Sequence, residues 1–225
     1  MGSPLLVILL GPPGSGKGTQ AKRLTARFSN WSHVSTGDLF RKEIASKSEL
    51  GLKVSETIAK GNLVSDEQTN QIFESQLLKI IKEKAPAVIL LDGYPRNTAQ
   101  SSALLKLVNH TQFPAPKILE LEVSEASVLD RLGGRLVNTK TGRVYHSVYS
   151  PPKVAGICDE DGSKLVQRPD DRPETIKSRF ALYTRERNGI VDALVTGGVG
   201  LVKVAGSRAP EAIEQELENK IKGWL

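Results

Sequence analysis

The sequence predicts an α/β fold, a three-layer sandwich in which a central, largely parallel five-stranded sheet lies between layers of helices. Three observations carry this. Short apolar runs alternate with longer segments of helical periodicity, an order that calls for helical crossovers between parallel strands. Two of the runs, Leu5–Leu10 and Ala87–Leu91, are apolar at every position, as strands covered on both faces are. The first run leads straight into a glycine-rich turn and then into a helical pattern, the local order of a strand, an anion-binding turn and a helix.

That turn is Gly11-Pro12-Pro13-Gly14-Ser15-Gly16-Lys17-Gly18-Thr19. Its glycines let the backbone curve around an anion with amide hydrogens pointing inward, and Lys17 brings a positive charge. Between a strand and a helix this reads as a phosphate-binding P-loop, because an ordinary turn needs neither that many glycines nor a lysine. Such loops usually carry Ser or Thr directly after the lysine. Here Gly18 stands there and Thr19 follows, so a metal ion is expected to be held more by phosphates and water than by a hydroxyl.

The remaining elements follow in order. Gln20–Phe28 carries Ala21, Leu24 and Phe28 at helical spacing, with Gly18-Thr19 at the helix start, which aims the helix N-terminus at the phosphates. His33–Arg41 reads as a short strand, a polar turn with Ser35, Thr36 and Asp38 as capping candidates, and a new helix. Apolar positions are sparse from Ile44 to Lys60 and Gly51 interrupts them, which predicts two short, loosely packed helices. Ser65-Asp66-Glu67-Gln68 has capping-box form and opens a helix to about Lys84. Ala87–Leu91 delivers Asp92 to the carboxyl edge of the sheet, where open parallel sheets bind ligands, and an apolar strand ending in Asp is the usual companion of a phosphate loop. Gly93-Tyr94-Pro95-Arg96 turns an arginine toward the same edge ahead of a helix over Thr98–His110. Lys117–Val123 sets Glu120 and Glu122 among apolar residues, as a strand with one wetter face would, and Ser124 caps a helix with Arg131 and Arg135 on one side.

The texture changes from Leu136 to Asp171. This segment is rich in Thr, Gly, Pro, Asp and Lys, lacks helical periodicity, and predicts a small antiparallel flap inserted on hinges. Asn138, Thr141, Cys158 and Asp161 form two pairs with metal-ligand spacing. With one thiolate and one carboxylate among them zinc is not expected, and a hydrogen-bonded knot is. Pro173 starts a long helix carrying Arg179, Leu201–Ala205 is the last strand, Gly206-Ser207-Arg208 the turn at its carboxyl end, and Pro210–Lys222 a closing helix.

Composition narrows the classes. The 225 residues are 39% hydrophobic and 25% charged, enough for one sizeable core with inserted flaps. The net charge of +6 comes from basic residues that are spread rather than clustered, which argues against nucleic acid and suits a phosphorylated small substrate. One cysteine allows no internal disulfide, and no apolar run approaches the ~20 residues needed to span a bilayer. No targeting segment is recognised, and the expected compartment is the cytoplasm, with the mitochondrial matrix or intermembrane space as alternatives. The carboxyl edge would collect Lys17, Thr36, Asp92, Arg96 and Arg208, with Arg131, Arg135, Arg168 and Arg179 coming from elements beside the flap. So many cations suit a site holding about five phosphate groups while one is passed on, a reaction that needs positioning and charge stabilisation more than an acid–base pair.

On its motifs the chain resembles the adenylate kinases in their long-lid form: GPPGSGKGTQA at Gly11–Ala21, STGDLFR at Ser35–Arg41, LDGYPRNTAQ at Leu91–Gln100, DRLGGR at Asp130–Arg135, TGRVYH at Thr141–His146, PPK at Pro151–Lys153 and QRPDD at Gln167–Asp171. The resemblance implies a P-loop core (1–34, 65–133 and 172–225), a nucleoside-monophosphate flap (35–64) and a lid (134–171). It implies reversible phosphoryl transfer from MgATP to AMP giving two ADP, by a monomer without nucleic-acid or membrane partners. GTP is an alternative donor, as in the GTP:AMP enzymes of the mitochondrial matrix, and a non-catalytic nucleotide switch is a more distant alternative.

Carried over by position, the resemblance implies that Gly14, Ser15, Gly16, Lys17, Gly18 and Thr19 hold the donor triphosphate, with Arg131, Arg135, Val144, Tyr145 and Arg208 along the donor nucleotide. AMP would lie against Thr36, Arg41, Asn62, Leu63, Val64, Gly93, Tyr94, Pro95, Arg96 and Gln100, with Gln100 reading the adenine edge. Arg168 and Arg179 would clamp phosphates as the lid shuts, and Asp92 with Asp38 would order magnesium through water. The implied catalytic set is Lys17, Asp92, Arg96, Arg135, Arg168 and Arg179. Three departures stand out. Tyr94 replaces a usual Phe and adds a hydroxyl beside the AMP pocket, Arg208 replaces a common Lys, and the four lid positions match neither the full zinc set nor the usual polar one.

Overall fold

Every residue of β1 (Leu5–Leu10) is buried, which requires cover on both faces and neighbours on both edges. Both are present in the computed structural model, which describes residues 3–46, 49–59 and 63–225. The order of elements is β1, α1 (Lys17–Arg27), β2 (Trp31–Ser35), α2 (Thr36–Ala45), α3 (Glu49–Ala59), α4 (Asp66–Lys84), β3 (Val88–Asp92), α5 (Thr98–Thr111), β4 (Lys117–Glu122), α6 (Glu125–Gly133), β5 (Arg135–Val137), β6 (Val144–His146), α7 (Pro173–Thr196), β7 (Gly200–Ala205) and α8 (Pro210–Lys222). The main sheet has five strands in the order β2-β3-β1-β4-β7, and every pairing in it is parallel.

Alternation along β1 sorts its side chains between two layers. Leu6, Ile8 and Leu10 pack with Phe73 and Leu77 of α4, Leu104 of α5, and Ile190 and Leu194 of α7. Leu5, Val7 and Leu9 pack on the other side with Ala21 and Leu24 of α1 and Ile213, Leu217 and Ile221 of α8. The three-layer α/β sandwich predicted from sequence is therefore the fold.

Three local readings change. α1 begins at Lys17, one residue ahead of the Gly18-Thr19 start expected from sequence, so the lysine stands on the first turn of the helix. Gly51 lies inside α3 and does not break it; a Cβ there would sit 2.2 Å from the carbonyl oxygen of Glu43, so the glycine marks where α3 crosses α2 at close range. Glu120 of β4 is 3% exposed, not wet. Its carboxylate takes Arg187 of α7 in a two-pronged ion pair, Nε at 2.7 Å from Oε1 and Nη2 on Oε2, and accepts from the Tyr183 hydroxyl at 2.9 Å.

β5 and β6 form a second sheet of two strands, apart from the main one. They pair antiparallel, and a bridge joins Val137 to Val166. Tyr145, Cys158 and Leu165 form a small apolar centre, and Asn138 Nδ2 donates to Asp161 Oδ1 at 2.9 Å across the turns. Asn138 Oδ1 accepts from the backbone N–H groups of Lys140 and Thr141, Thr141 Oγ1 accepts from that of Arg143, and Cys158 Sγ lies 3.6 Å from the Tyr145 hydroxyl. A short 3-10 turn, Pro169–Asp171, returns the chain to α7. Among the described residues no helix is long and apolar enough to cross a membrane.

Candidate active site

The carboxyl edge of the sheet opens on a cavity of about 1370 Å³. That exceeds the roughly 300–1,000 Å³ of a pocket for one small ligand. Its lining runs from the phosphate loop across the ends of β2 and β3 to α2 and α5, and over to residues 131–179.

At one end β1 stops at Leu10 and the chain curls through 11–16 into α1. Gly16 takes φ 100° at the helix N-cap, a left-handed conformation that glycine adopts without strain. Lys17 folds back across the loop. Its Nζ donates to the carbonyls of Gly11 at 2.7 Å and Pro12 at 2.8 Å and stands 3.3 Å from Ser15 Oγ. Burial brings the Lys17 amine down to about 8, opposed by Asp92 and reinforced by the nearby Arg96, Arg179 and Arg135.

β3 places Asp92 level with Leu9 of β1 and Ser35 of β2, beside this lysine. Burial works to raise its carboxyl, but His33, with Nε2 at 3.7 Å, together with Lys17 and Arg96 outweighs burial and holds it at about 2. The group is thus an anion at neutral pH. A Cβ on Gly18 would meet Asp92 Oδ2 at 3.1 Å, so the missing side chain after the lysine leaves that ground to the carboxylate.

At the other end Thr36 Oγ1 and Arg96 Nε both donate to the Gly93 carbonyl at 2.7 Å, which ties the start of α2 to the turn after β3. Gln100 is 1% exposed and still reaches the lining, to which Leu63, Val64 and Pro95 add apolar surface. Arg41 is paired with Asp38 on the first turns of α2. Tyr94 departs from expectation. It does not line the cavity, its ring stacks on Phe73 at 4.0 Å, and its hydroxyl donates into the core to Asn70 Oδ1 at 2.6 Å. Asn62 lies outside the described residues.

The remaining cations close the perimeter. Arg135 holds Asp171 through both of its donors on that side, with Nε 2.7 Å from Oδ2. Arg179 Nη1 stands 2.7 Å from Asp170 Oδ2 and 3.7 Å from Asp171. Arg168 has a buried Nε with no hydrogen-bond partner, a donor in want of an anion. Burial, then neighbouring arginines, bring Arg96 and Arg168 each down to about 10, and the same causes lower Arg179. Several cations buried side by side mark a site short of negative charge. Toward the outer rim, Arg131 Nη2 donates to the Gly206 carbonyl at 2.8 Å, Arg208 pairs with Glu216, and Val144 and Tyr145 face the same cavity.

The structure therefore brings together Gly14, Ser15, Gly16, Lys17, Gly18 and Thr19 with Thr36, Asp38, Arg41, Leu63, Val64, Asp92, Gly93, Pro95, Arg96, Gln100, Arg131, Arg135, Val144, Tyr145, Arg168, Arg179 and Arg208 on one cavity. Sequence reasoning left Asp170 and Asp171 without a role, although they anchor two of the arginines. It also passed over Lys22 of α1, whose Nζ donates to the Gly142 carbonyl at 2.9 Å and touches 134–171 to the core. Both signals were available only as charges, since no local pattern links Asp170 to Arg179, Asp171 to Arg135 or Lys22 to Gly142.

Among the described residues no group of three or more His, Cys, Asp or Glu side chains could cage a metal ion. The donor set instead fits a cation that arrives with phosphates. Asp92 is ionised and faces the cavity beside the loop, whereas Asp38 is already engaged by Arg41.

Residues 9–198 match the family model described as Adenylate kinase. A protein named Adenylate kinase from Caldanaerobacter subterraneus subsp. tengcongensis is 38% identical over 217 residues, covering 96% of each chain. One of the same name from Oceanobacillus iheyensis is 40% identical, covering 95% of this chain and 97% of its own, and one from Clostridium novyi is 38% identical, covering 96% and 98%.

Proposed function

The chain belongs to the adenylate kinase family and is a phosphotransferase that interconverts ATP and AMP with two ADP; from that premise we propose how its own residues divide the task. The reading divides the chain into a core (1–34, 65–133 and 172–225), an acceptor flap (35–64) and a lid (134–171). The donor triphosphate lies in the loop 14–19 at the N-terminus of α1, where backbone amides and the helix dipole favour an anion. AMP lies at the far end, its phosphate between Thr36, Arg41 and Arg96 and its base against Gln100, Val64 and Pro95. The observation that carries this is the row of Lys17, Arg96, Arg135, Arg168 and Arg179 around one cavity, four of them lowered chiefly by burial and Arg135 held by Asp171, with the loop 14–19 and the residues Thr36, Gly93, Arg96 and Gln100 on the same lining.

Lys17 and Arg96 would orient the phosphates of donor and acceptor for in-line transfer, and Arg135, Arg168 and Arg179 would spread over the oxygens as charge shifts. Arg135 and Arg179 must trade Asp171 and Asp170 for phosphate oxygens. This exchange couples substrate binding to the joint between α7 and the lid, and shutting the lid excludes the water that would otherwise accept the phosphoryl group. Magnesium bound with the donor would supply charge neutralisation at the phosphates, and Asp92 would hold it through water. Nothing in the fold, the site or the relatives favours GTP over ATP. The described residues of both proposed nucleotide sites line one cavity of a single chain, which supports action as a monomer, and the bacterial sources of the relatives support a cytoplasmic setting.

Arg96→Ala tests the division. ADP formation should lose about 10- to 100-fold in kcat/KM for AMP, the range for a hydrogen bond to a charged group, with the KM for MgATP little changed. An equal loss for both nucleotides, or none for AMP, would contradict the assignment of the two ends.

A further inference from the structure

Gln100 is the residue placed against the acceptor base, and both ends of its side-chain amide are already engaged. Its Oε1 accepts from the backbone N–H of Arg96 at 2.8 Å, and its Nε2 donates to Asp66 Oδ1 at 2.8 Å. These partners have fixed polarity, because a peptide N–H can only donate and a carboxylate can only accept. Turning the amide over would set NH2 against N–H and a carbonyl against a carboxylate. The order of donor and acceptor at Gln100 is therefore locked from two sides, and each amide atom keeps one free valence, a hydrogen on Nε2 and a lone pair on Oε1.

Asp66 does not line the cavity. It sits on the first turn of α4, whose N-cap Ser65 accepts from the N–H of Gln68. The same Oδ1 also accepts from Asn97 Nδ2 at 2.8 Å, and Asn97 Oδ1 in turn accepts from the N–H of Gln100 at 2.9 Å. One carboxylate oxygen thus ties α4, the cap of α5 and the side chain of Gln100 into a fixed unit.

We infer that Asp66 is a specificity-determining positioning residue, which by locking the Gln100 amide makes the acceptor site select a 6-aminopurine over a 6-oxopurine. The inference rests on the proposed seating of the AMP base at Gln100. Adenine presents an acceptor at N1 and a donor at its amino group, the complement of an Nε2 hydrogen and an Oε1 lone pair. Hypoxanthine and guanine present the reverse, N1–H and O6, which only a turned-over amide would match. With Asp66 in place that turn opposes two like-polarity contacts; without it, only the one at Arg96 N remains. Discrimination then weakens, as it does when a site's buried polar groups lose their fixed pairing.

The test measures kcat and KM for AMP and for inosine monophosphate, at saturating MgATP, in the parent and in Asp66→Ala, Asp66→Asn and Gln100→Leu. Asp66→Ala is expected to lower the AMP-to-IMP ratio of kcat/KM by about tenfold, through a higher KM for AMP and a relative gain for IMP, with kcat on AMP held. Asp66→Asn should fall between, because its amide oxygen can still accept from Gln100 while its NH2 offers the opposite polarity. A purely architectural Asp66 would lower both substrates together and leave the ratio alone. An unchanged ratio in Asp66→Ala alongside a collapsed one in Gln100→Leu would overturn the inference while leaving Gln100 as the base reader. An unchanged ratio in Gln100→Leu as well would overturn both. Should Asp66→Ala fail to fold, Asp66→Asn decides the same question by the same ratio.

Discussion

The floor and the cover of the cavity are built on different principles. Lys17, Asp92 and Arg96 rise from the ends of β1 and β3, strands whose residues belong to two large apolar clusters spanning the sheet and five helices. Segment 134–171 has two strands of three residues, an apolar centre of Tyr145, Cys158 and Leu165 backed by Leu136, and a set of polar turns. Groups on the floor can move only if the core opens, whereas the cover can shift by exchanging a few ion pairs and hydrogen bonds. If 134–171 is the lid proposed above, accuracy belongs to the floor and mobility to the cover, an expectation that can be broken from either side.

The largest effect should come from the floor. Lys17→Met removes the one charge held inside the phosphate loop and should lower kcat by about 10³-fold, the scale for deleting a preorganised charge stabiliser. The melting temperature should hold or rise, since the methionine no longer has to bury an amine whose pKa is already forced down to about 8. Steady-state ADP formation and calorimetry check the two halves. A variant that unfolds would mean that the Nζ bonds to Gly11 and Pro12 support the loop more than the chemistry.

Next in size is Glu120→Ala, aimed at the core rather than the site. Removing one member of a buried ion pair costs about 3–5 kcal/mol when both ions are dry. Arg187 keeps 24% of its side chain exposed and can rehydrate, so about 2 kcal/mol is expected, or roughly 4–8 °C in melting temperature for a chain of this size. The sign with pH follows from the same pair. Burial would raise the Glu120 carboxyl, but Arg187 and Tyr183 hold it below its ordinary value, so its contribution is present above the unfolded value and is lost as pH falls through the folded one. The parent should therefore lose more stability on acidification than Glu120→Ala does.

Glu120 also shows where sequence stops being legible. Alternation along Lys117–Glu122 reported polarity correctly, but polarity implies exposure only when no partner arrives, and Tyr183 and Arg187 arrive from more than sixty residues away. The same limit hid Asp66, Asp170 and Asp171, each readable as a cap or a charge and not as the partner of Gln100, Arg179 or Arg135. Tyr94 misled in the opposite way. The family resemblance set its hydroxyl beside the acceptor pocket, while the turn that brings Arg96 to the cavity sends Tyr94 into the core. What the sequence did disclose was whatever local geometry determines: the buried strands, the loop with its lysine, the Asp at the end of β3 and the α/β order.

The smallest effect, and the one that sharpens the comparison most, belongs to the cover. Asn138 is 1% exposed and holds two turns at once, donating to Asp161 and accepting from the N–H groups of Lys140 and Thr141. Asn138→Ala leaves those groups to find water, a local cost of about 1–3 kcal/mol. If the cover opens as a unit separate from the sheet, that cost lowers only its own opening free energy. Hydrogen exchange over 134–171 should then accelerate by about tenfold or more, while the strands β1, β3 and β4 exchange as before and the main melting transition stays within about a degree. Were exchange in the central strands to accelerate equally, the cover and the floor would be one cooperative body. Arg135 and Arg179 could then not be handed from Asp171 and Asp170 to phosphate without disturbing the core that positions Lys17 and Asp92.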